Sequence, residues 1–170
     1  MKDNPYQPML ATIENIKEEV GGQRAIKTFR IKFQDKNLQT NFDYNPGQCA
    51  MVSILGKGEC MFAISSSPTK KGYIEVSVMR HGKVTKALHE SEVGDVVGVR
   101  GPYGNNFDVK SWKGKNIVFV GGGIDQAPLR CLINYILDNE DLLGVMDFKV
   151  FGIEVKITNF QIYIKIYYIC

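Results

Sequence analysis

NIVFVGGGIDQAPLR, residues 116–130, changes its pattern twice. Ile117 to Val120 is a short apolar run of β-branched and aromatic side chains, which predicts a strand. Gly121, Gly122 and Gly123 follow, and glycine lets a backbone come close to a ligand. Beyond them Leu129, Leu132, Ile133, Ile136 and Leu137 fall at helical spacing. Pro128 sits in the first helical turn, where its missing N–H forfeits no intrahelical bond. Strand, glycine loop and helix together open an α/β unit. The helix start offers unpaired N–H groups and a positive dipole end, a natural seat for phosphate. The glycine spacing is not GxGxxG.

Upstream the pattern is different. Phe29, Ile31 and Phe33 alternate with Arg30 and Lys32, and Ile74, Val76 and Val78 alternate with polar neighbours. Val97 and Val99 close a third alternating run. Turn signals separate these runs at Gly21-Gly22, Asn45-Pro46-Gly47, Gly56-Lys57-Gly58, Lys71-Gly72, Gly94-Asp95 and Gly101-Pro102. The spacing predicts a small antiparallel barrel or sandwich, with one short helix over Thr85–Glu90 and a boundary near 108–114. Residues 1–110 and 111–170 are thus expected to be two units.

The chain has 170 residues, 44% hydrophobic and 23% charged, with a net charge of +3. That charge is too small to imply nucleic acid or a membrane surface as a partner. No apolar run reaches the ~18 residues of a membrane span, and the N-terminus carries no signal-peptide core. The four cysteines, Cys49, Cys60, Cys131 and Cys170, form no CxxC. Neither a zinc nor an iron–sulfur site is signalled, and a reducing cytoplasm is the expected location. His81 and His89 both lie beside charged residues and read as solvated surface. No nucleophile–base constellation or metal-ligand set is legible, so no catalytic residue is assigned.

Four stretches occur in order: NPGQ (45–48), MFAISSSP (61–68), GKVTKALHE (82–90) and GGGIDQAPLR (121–130), with GPYG (101–104) before the last. As an ordered set they resemble the ferredoxin–NADP reductase superfamily. More closely, they resemble the gamma-type electron-transfer subunits of sulfhydrogenases and NAD(P)H-linked anaerobic reductases. The likeness runs from about residue 8 to about residue 137. It implies a six-stranded antiparallel Greek-key β barrel that binds flavin, followed by a partial Rossmann-like α/β unit. It also implies FAD, with FMN as second choice, NAD(P)H as co-substrate, and iron–sulfur or hydrogenase-type subunits as partners, with no cluster in this chain.

By the same resemblance, Phe62, Ala63, Ile64 and Ser65 contact the flavin. Phe62 would stack near the ring, and Ala63 to Ser65 would offer backbone groups. Ser77 and Val78 join them from the next strand, and Gly82, Val84 and Thr85 would receive the flavin diphosphate. Gly121, Gly122, Gly123 and Asp125 belong to the nicotinamide dinucleotide. The alternative for Phe62 and Ile64 is that they are inward-facing barrel residues. Two positions depart from the family: Cys60 stands where it carries an arginine against the diphosphate, and Ala63 where it carries a serine. Arg80 and Lys83 are the nearby substitute cations. Asp125 replaces a small residue, and would either repel a diphosphate or cap the helix. After Phe148–Phe151, a second strand, the tail GIEVKITNFQIYIKIYYIC reads as one or two strands or as a segment outside the ancestral fold. The alternative to an electron-transfer module is a non-catalytic flavin- or partner-binding barrel with an incomplete nucleotide site.

Overall fold

The computed structural model describes residue 4 and residues 6–139, 148–158 and 161–169. Six strands form one antiparallel sheet: β1 (Met9–Val20), β2 (Ile26–Phe33), β3 (Cys49–Ile54), β4 (Gly58–Ala63), β5 (Tyr73–Met79) and β6 (Val96–Tyr103). Their order is β4-β3-β6-β1-β2-β5. The non-consecutive neighbours β3–β6 and β2–β5 make the Greek-key connection expected. The two edge strands meet through one antiparallel bridge, Ile64 to Val76, and through the Ser65 N–H, which donates to Glu75 O at 2.7 Å. The sheet therefore curls into a barrel that is joined at one point of the β4–β5 seam.

Alternation explains the core. Ile13, Phe29, Ile31, Val52, Ile64, Ile74, Val76 and Val99 are all 0% exposed. Strand β1 outruns this core. Its register on β2 shifts between Ile13 and Asn15 and again between Glu18 and Val20. Its second half extends as an exposed arm with β2 and carries Glu19 to the rim.

The serine run 65–67 is buried, between 0% and 2% exposed, and every member is paired. The Ser66 hydroxyl meets Tyr44 Oη at 2.8 Å and accepts from Glu75 N–H at 3.0 Å. Ser67 pairs with Thr69 at 2.7 Å. Buried hydroxyls need such partners, and these fix the β4–β5 connection.

A first helix, α1, spans Lys36–Asn41 after β2; the short helix α2 spans Lys83–His89, starting two residues and ending one residue earlier than the sequence suggested, and packs over β3 and β4. His89 corrects the surface reading: it is 8% exposed. Its Nε2 lies 2.9 Å from Val78 O, and its ring meets the edge of Phe29 at 5.9 Å and 66°. Charged sequence neighbours misled because successive helical residues point to different faces. His81 is exposed.

The α/β unit follows. Strand β7 (Ile117–Gly122) runs into a 3-10 turn (Gly123–Asp125) and then α3 (Gln126–Leu137). Strand β8 (Phe148–Thr158) pairs parallel to β7, as a βαβ crossover requires. Strand β9 (Gln161–Ile169) turns back antiparallel on β8.

Helix α3 serves both units. Leu132 and Ile136 pack with Phe119 and Val109 beneath β7, whereas Cys131 joins the barrel core. At 1% exposure, burial pushes the Cys131 thiol up to about 12. Asp138, just past the helix, accepts from the Thr69 hydroxyl and lies 3.5 Å from Lys70 Nζ. These contacts hold its carboxyl below the usual range, Thr69 contributing most. A carboxyl depressed by folding adds stability above its unfolded value and loses it as the pH falls through its folded value. Asp138→Asn is therefore expected to flatten part of the fall in melting temperature below about pH 5, while the value at pH 7 drops slightly. Melting curves at both pH values check this.

Candidate functional site

A cavity of about 330 Å³ opens where the barrel rim, the glycine loop and α3 meet. Glu19, Val20 and Ile26 line it from the β1–β2 arm and Ser77 from β5. Gly121, Gly123, Ile124, Ala127 and Arg130 line it from the loop and α3. The glycine loop earns its composition at two positions. A Cβ on Gly121 would lie 2.8 Å from Leu129 Cδ1 and 3.1 Å from Gln126 Cγ, and Gly123 has φ +56°. The backbone thus forms the cavity wall directly.

One wall is a polar cluster. The Arg130 guanidinium donates to Ser65 Oγ at 2.9 Å, to Glu75 Oε2 at 3.3 Å and to Glu19 Oε1 at 3.3 Å. Arg30 grips Glu75 Oε1 from the other side through Nε at 3.0 Å and Nη2 at 2.9 Å, and it stacks over Tyr73. Thr28 Oγ1 donates to Glu19 at 2.9 Å and meets Ser77 Oγ at 2.8 Å. Partial burial alone would raise the Glu19 carboxyl. The Lys17 ammonium at 2.7 Å, the Thr28 hydroxyl and Arg130 together hold it below the usual carboxylate range.

Sequence reading missed Arg130, Glu19 and Glu75. Arg130 ends the quoted motif APLR, but no local pattern reveals a partner 65 residues away. The expected residues divide into groups. Ser77, Gly121 and Gly123 line the cavity, and Ser65, itself fully buried, stands behind Arg130. Gly122 lies between the other two glycines and is half-buried. Ile64 and Val78 are core side chains at 0% and 1% exposure. The N–H groups of Ile64 and Ser65 are bonded to Gln48 O and Glu75 O, so neither is a free donor.

Asp125 does not cap α3. It occupies the N-cap position at φ −65°, ψ −12°, without a side-chain capping bond. The preceding 3-10 turn imposes helical backbone there, and a capping side chain needs extended backbone. Asp125 is exposed.

The remaining group lies along β4 and at the start of α2. Phe62 is half-buried against the barrel core, and Ala63 ends β4. A Cβ on Gly58 would lie 3.4 Å from Val84 Cγ2, so the start of α2 flanks this strand. Thr85 Oγ1 accepts from Gly82 N–H at 2.8 Å and His81 N–H at 3.0 Å, and donates to Gly82 O at 3.0 Å. Its hydroxyl organises the GKVT turn. Lys83 and Arg80 are exposed near this turn. Cys60 lies on β4 opposite the core residue Val52. Among the described residues no three His, Cys, Asp or Glu side chains gather as a metal site, and no helix is long and apolar enough to cross a membrane.

The family profile of the oxidoreductase FAD-binding domain matches residues 15–107, more than half of the chain. Sulfhydrogenase 2 subunit gamma of Pyrococcus furiosus is 38% identical over 136 residues, which cover 80% of this chain and 46% of that protein. The chain thus spans less than half the length of this curated relative. Among solved structures, phthalate dioxygenase reductase, described as modular for electron transfer from pyridine nucleotides to [2Fe–2S], superposes with a TM-score of 0.69. It is 15% identical, over 88% of this chain and 44% of that one. Ferredoxin-NADP+ reductase from Plasmodium falciparum superposes with a TM-score of 0.70 at 13% identity, over 92% of this chain and 62% of that one.

Proposed function

The chain belongs to the oxidoreductase FAD-binding domain family, and on that premise we propose that it holds FAD and serves as an electron-transfer subunit. Electrons would pass between NAD(P)H and an iron–sulfur or hydrogenase-type partner subunit that carries the cluster. The observation that carries this reading is the shared cavity. The barrel strand β5 and the glycine loop of the α/β unit face each other across about 330 Å³, within the range of small-molecule clefts.

The residues present suit the group. The cavity lining is chiefly apolar with Ser77, Glu19, Gln126 and Arg130 as polar points, and Gly121 and Gly123 put backbone rather than side chains at its wall. Phe62 offers an aromatic face beside the seam. The GKVT turn presents the start of α2, with Lys83 and Arg80 as cations in place of the arginine replaced by Cys60; this favours FAD and keeps FMN as second choice. When bound, the flavin supplies the hydride and electron chemistry, as cofactors do, and the protein supplies position and charge. The thiols Cys49, Cys60 and Cys131 are free, which suits a reducing cytoplasm.

A second reading, a flavin-binding barrel without nucleotide-driven turnover, is favoured by β9. This strand runs antiparallel to β8, where a Rossmann-like unit continues in parallel. One experiment addresses both. The purified chain, incubated with excess FAD and desalted, is expected to retain flavin absorbance near one equivalent. NADH or NADPH is then added anaerobically. Bleaching supports the electron-transfer reading, retained flavin without bleaching supports the second, and no retained flavin rejects both.

A further inference from the structure

We propose that Arg130 is a positioning residue that sets the charge at the flavin cavity, opposed by Glu19, so that the two tune the reduction potential of the bound ring in opposite directions. This rests on the reading that the cavity receives FAD. Among the described residues, Arg130 and Glu19 are the two ionic side chains on the cavity wall. Both are largely covered, at 33% and 24% side-chain exposure, and they face an otherwise apolar lining, where a charge is felt more strongly than in water.

The guanidinium is held rather than free. Ser65 Oγ at 2.9 Å and Glu75 at 3.3 Å anchor it to the barrel, although it arrives from α3. Among the side chains joined in the cluster three are cationic, Lys17, Arg30 and Arg130, and two are anionic, Glu19 and Glu75. The cluster therefore carries one excess positive charge. Reduction adds two electrons and one proton to the ring, taken from a hydride donor or a chemical reductant. The reduced ring then bears one more negative charge than the oxidised ring. A fixed cation at the cavity favours that state, and a fixed carboxylate disfavours it.

The test is the midpoint potential of FAD reconstituted into the full chain, titrated with dithionite against a reference dye. Arg130→Met is expected to lower the reduced-to-oxidised ratio at fixed poise at least tenfold, about 30 mV for a two-electron couple. Glu19→Gln is expected to shift it the other way, and Arg130→Lys to retain most of the wild-type value. A loss of packing would move both variants in one direction, so opposite signs separate electrostatics from damage. Where Arg130→Met no longer retains FAD, Glu19→Gln decides, because it leaves the Ser65 contact in place. Unchanged potentials with FAD bound, or shifts of the same sign, overturn the inference alone. A wild-type chain that takes up no FAD overturns it together with the reading on which it rests.

Discussion

Phe29→Ala is expected to destabilise the protein by about 3–5 kcal/mol, the range for emptying a buried aromatic site. Phe29 is 0% exposed, sits on β2 opposite Val76 of β5, and meets the His89 ring edge-on. Its loss leaves a cavity between β2, β5 and the His89 end of α2. The backbone cannot collapse into that space without breaking the β2–β5 ladder, which pairs every residue from Ile26 to Lys32. Urea unfolding is the measurement. The midpoint should fall with the slope unchanged; a cost below about 1 kcal/mol would mean that the barrel repacks freely at this position.

Cys131→Asp is the second large effect, on the order of 3–5 kcal/mol for an unpaired carboxylate placed in an apolar site. Cys131→Ala, which adds no charge, is the control and should cost far less. Cys131 comes from α3 but packs in the barrel core, so the charge attacks the joint between the two units. Amide exchange should speed up over Gln126–Leu137 while Ile31 and Val76 stay protected. Equal loss of protection in the helix and the barrel would instead make them one cooperative body. The expected boundary near 108–114 is one of chain pattern. Helix α3 lies past it, yet shares the core of the first unit.

This is where sequence reading reaches its limit. Alternation at Ile74, Val76 and Val78 reported burial correctly, because in a strand the period alone decides which face a side chain takes. The glycine loop and Pro128 gave the strand–loop–helix order, because local backbone preferences act there without help. Cys131, His89 and Arg130 were not legible. Their surroundings come from segments 11 to 65 or more positions away, and neither composition nor periodicity records such pairings. The capping alternative for Asp125 failed for the opposite reason. Its identity suits a cap, but the 3-10 turn before it sets the backbone. Of the cavity, the loop and Ser77 could be read in advance; the ionic pair on its wall could not.

The lone bridge between Ile64 and Val76 has a kinetic consequence. Strands β2 and β5 are paired from Ile26 to Lys32, whereas the β4–β5 seam has one backbone bridge and one backbone hydrogen bond and is otherwise held through side chains, Ser66 on Glu75 N–H and Arg130 across Ser65 and Glu75. Opening such a seam breaks few ladder bonds but must release the Ser66 and Arg130 contacts, and local openings lie below the free energy of global unfolding. The seam can therefore part locally while the ladder around Phe29 remains shut. Amide exchange at Ser65, whose N–H bonds Glu75 O across the seam, would then outpace exchange at Phe29, whose ladder on β5 stays closed.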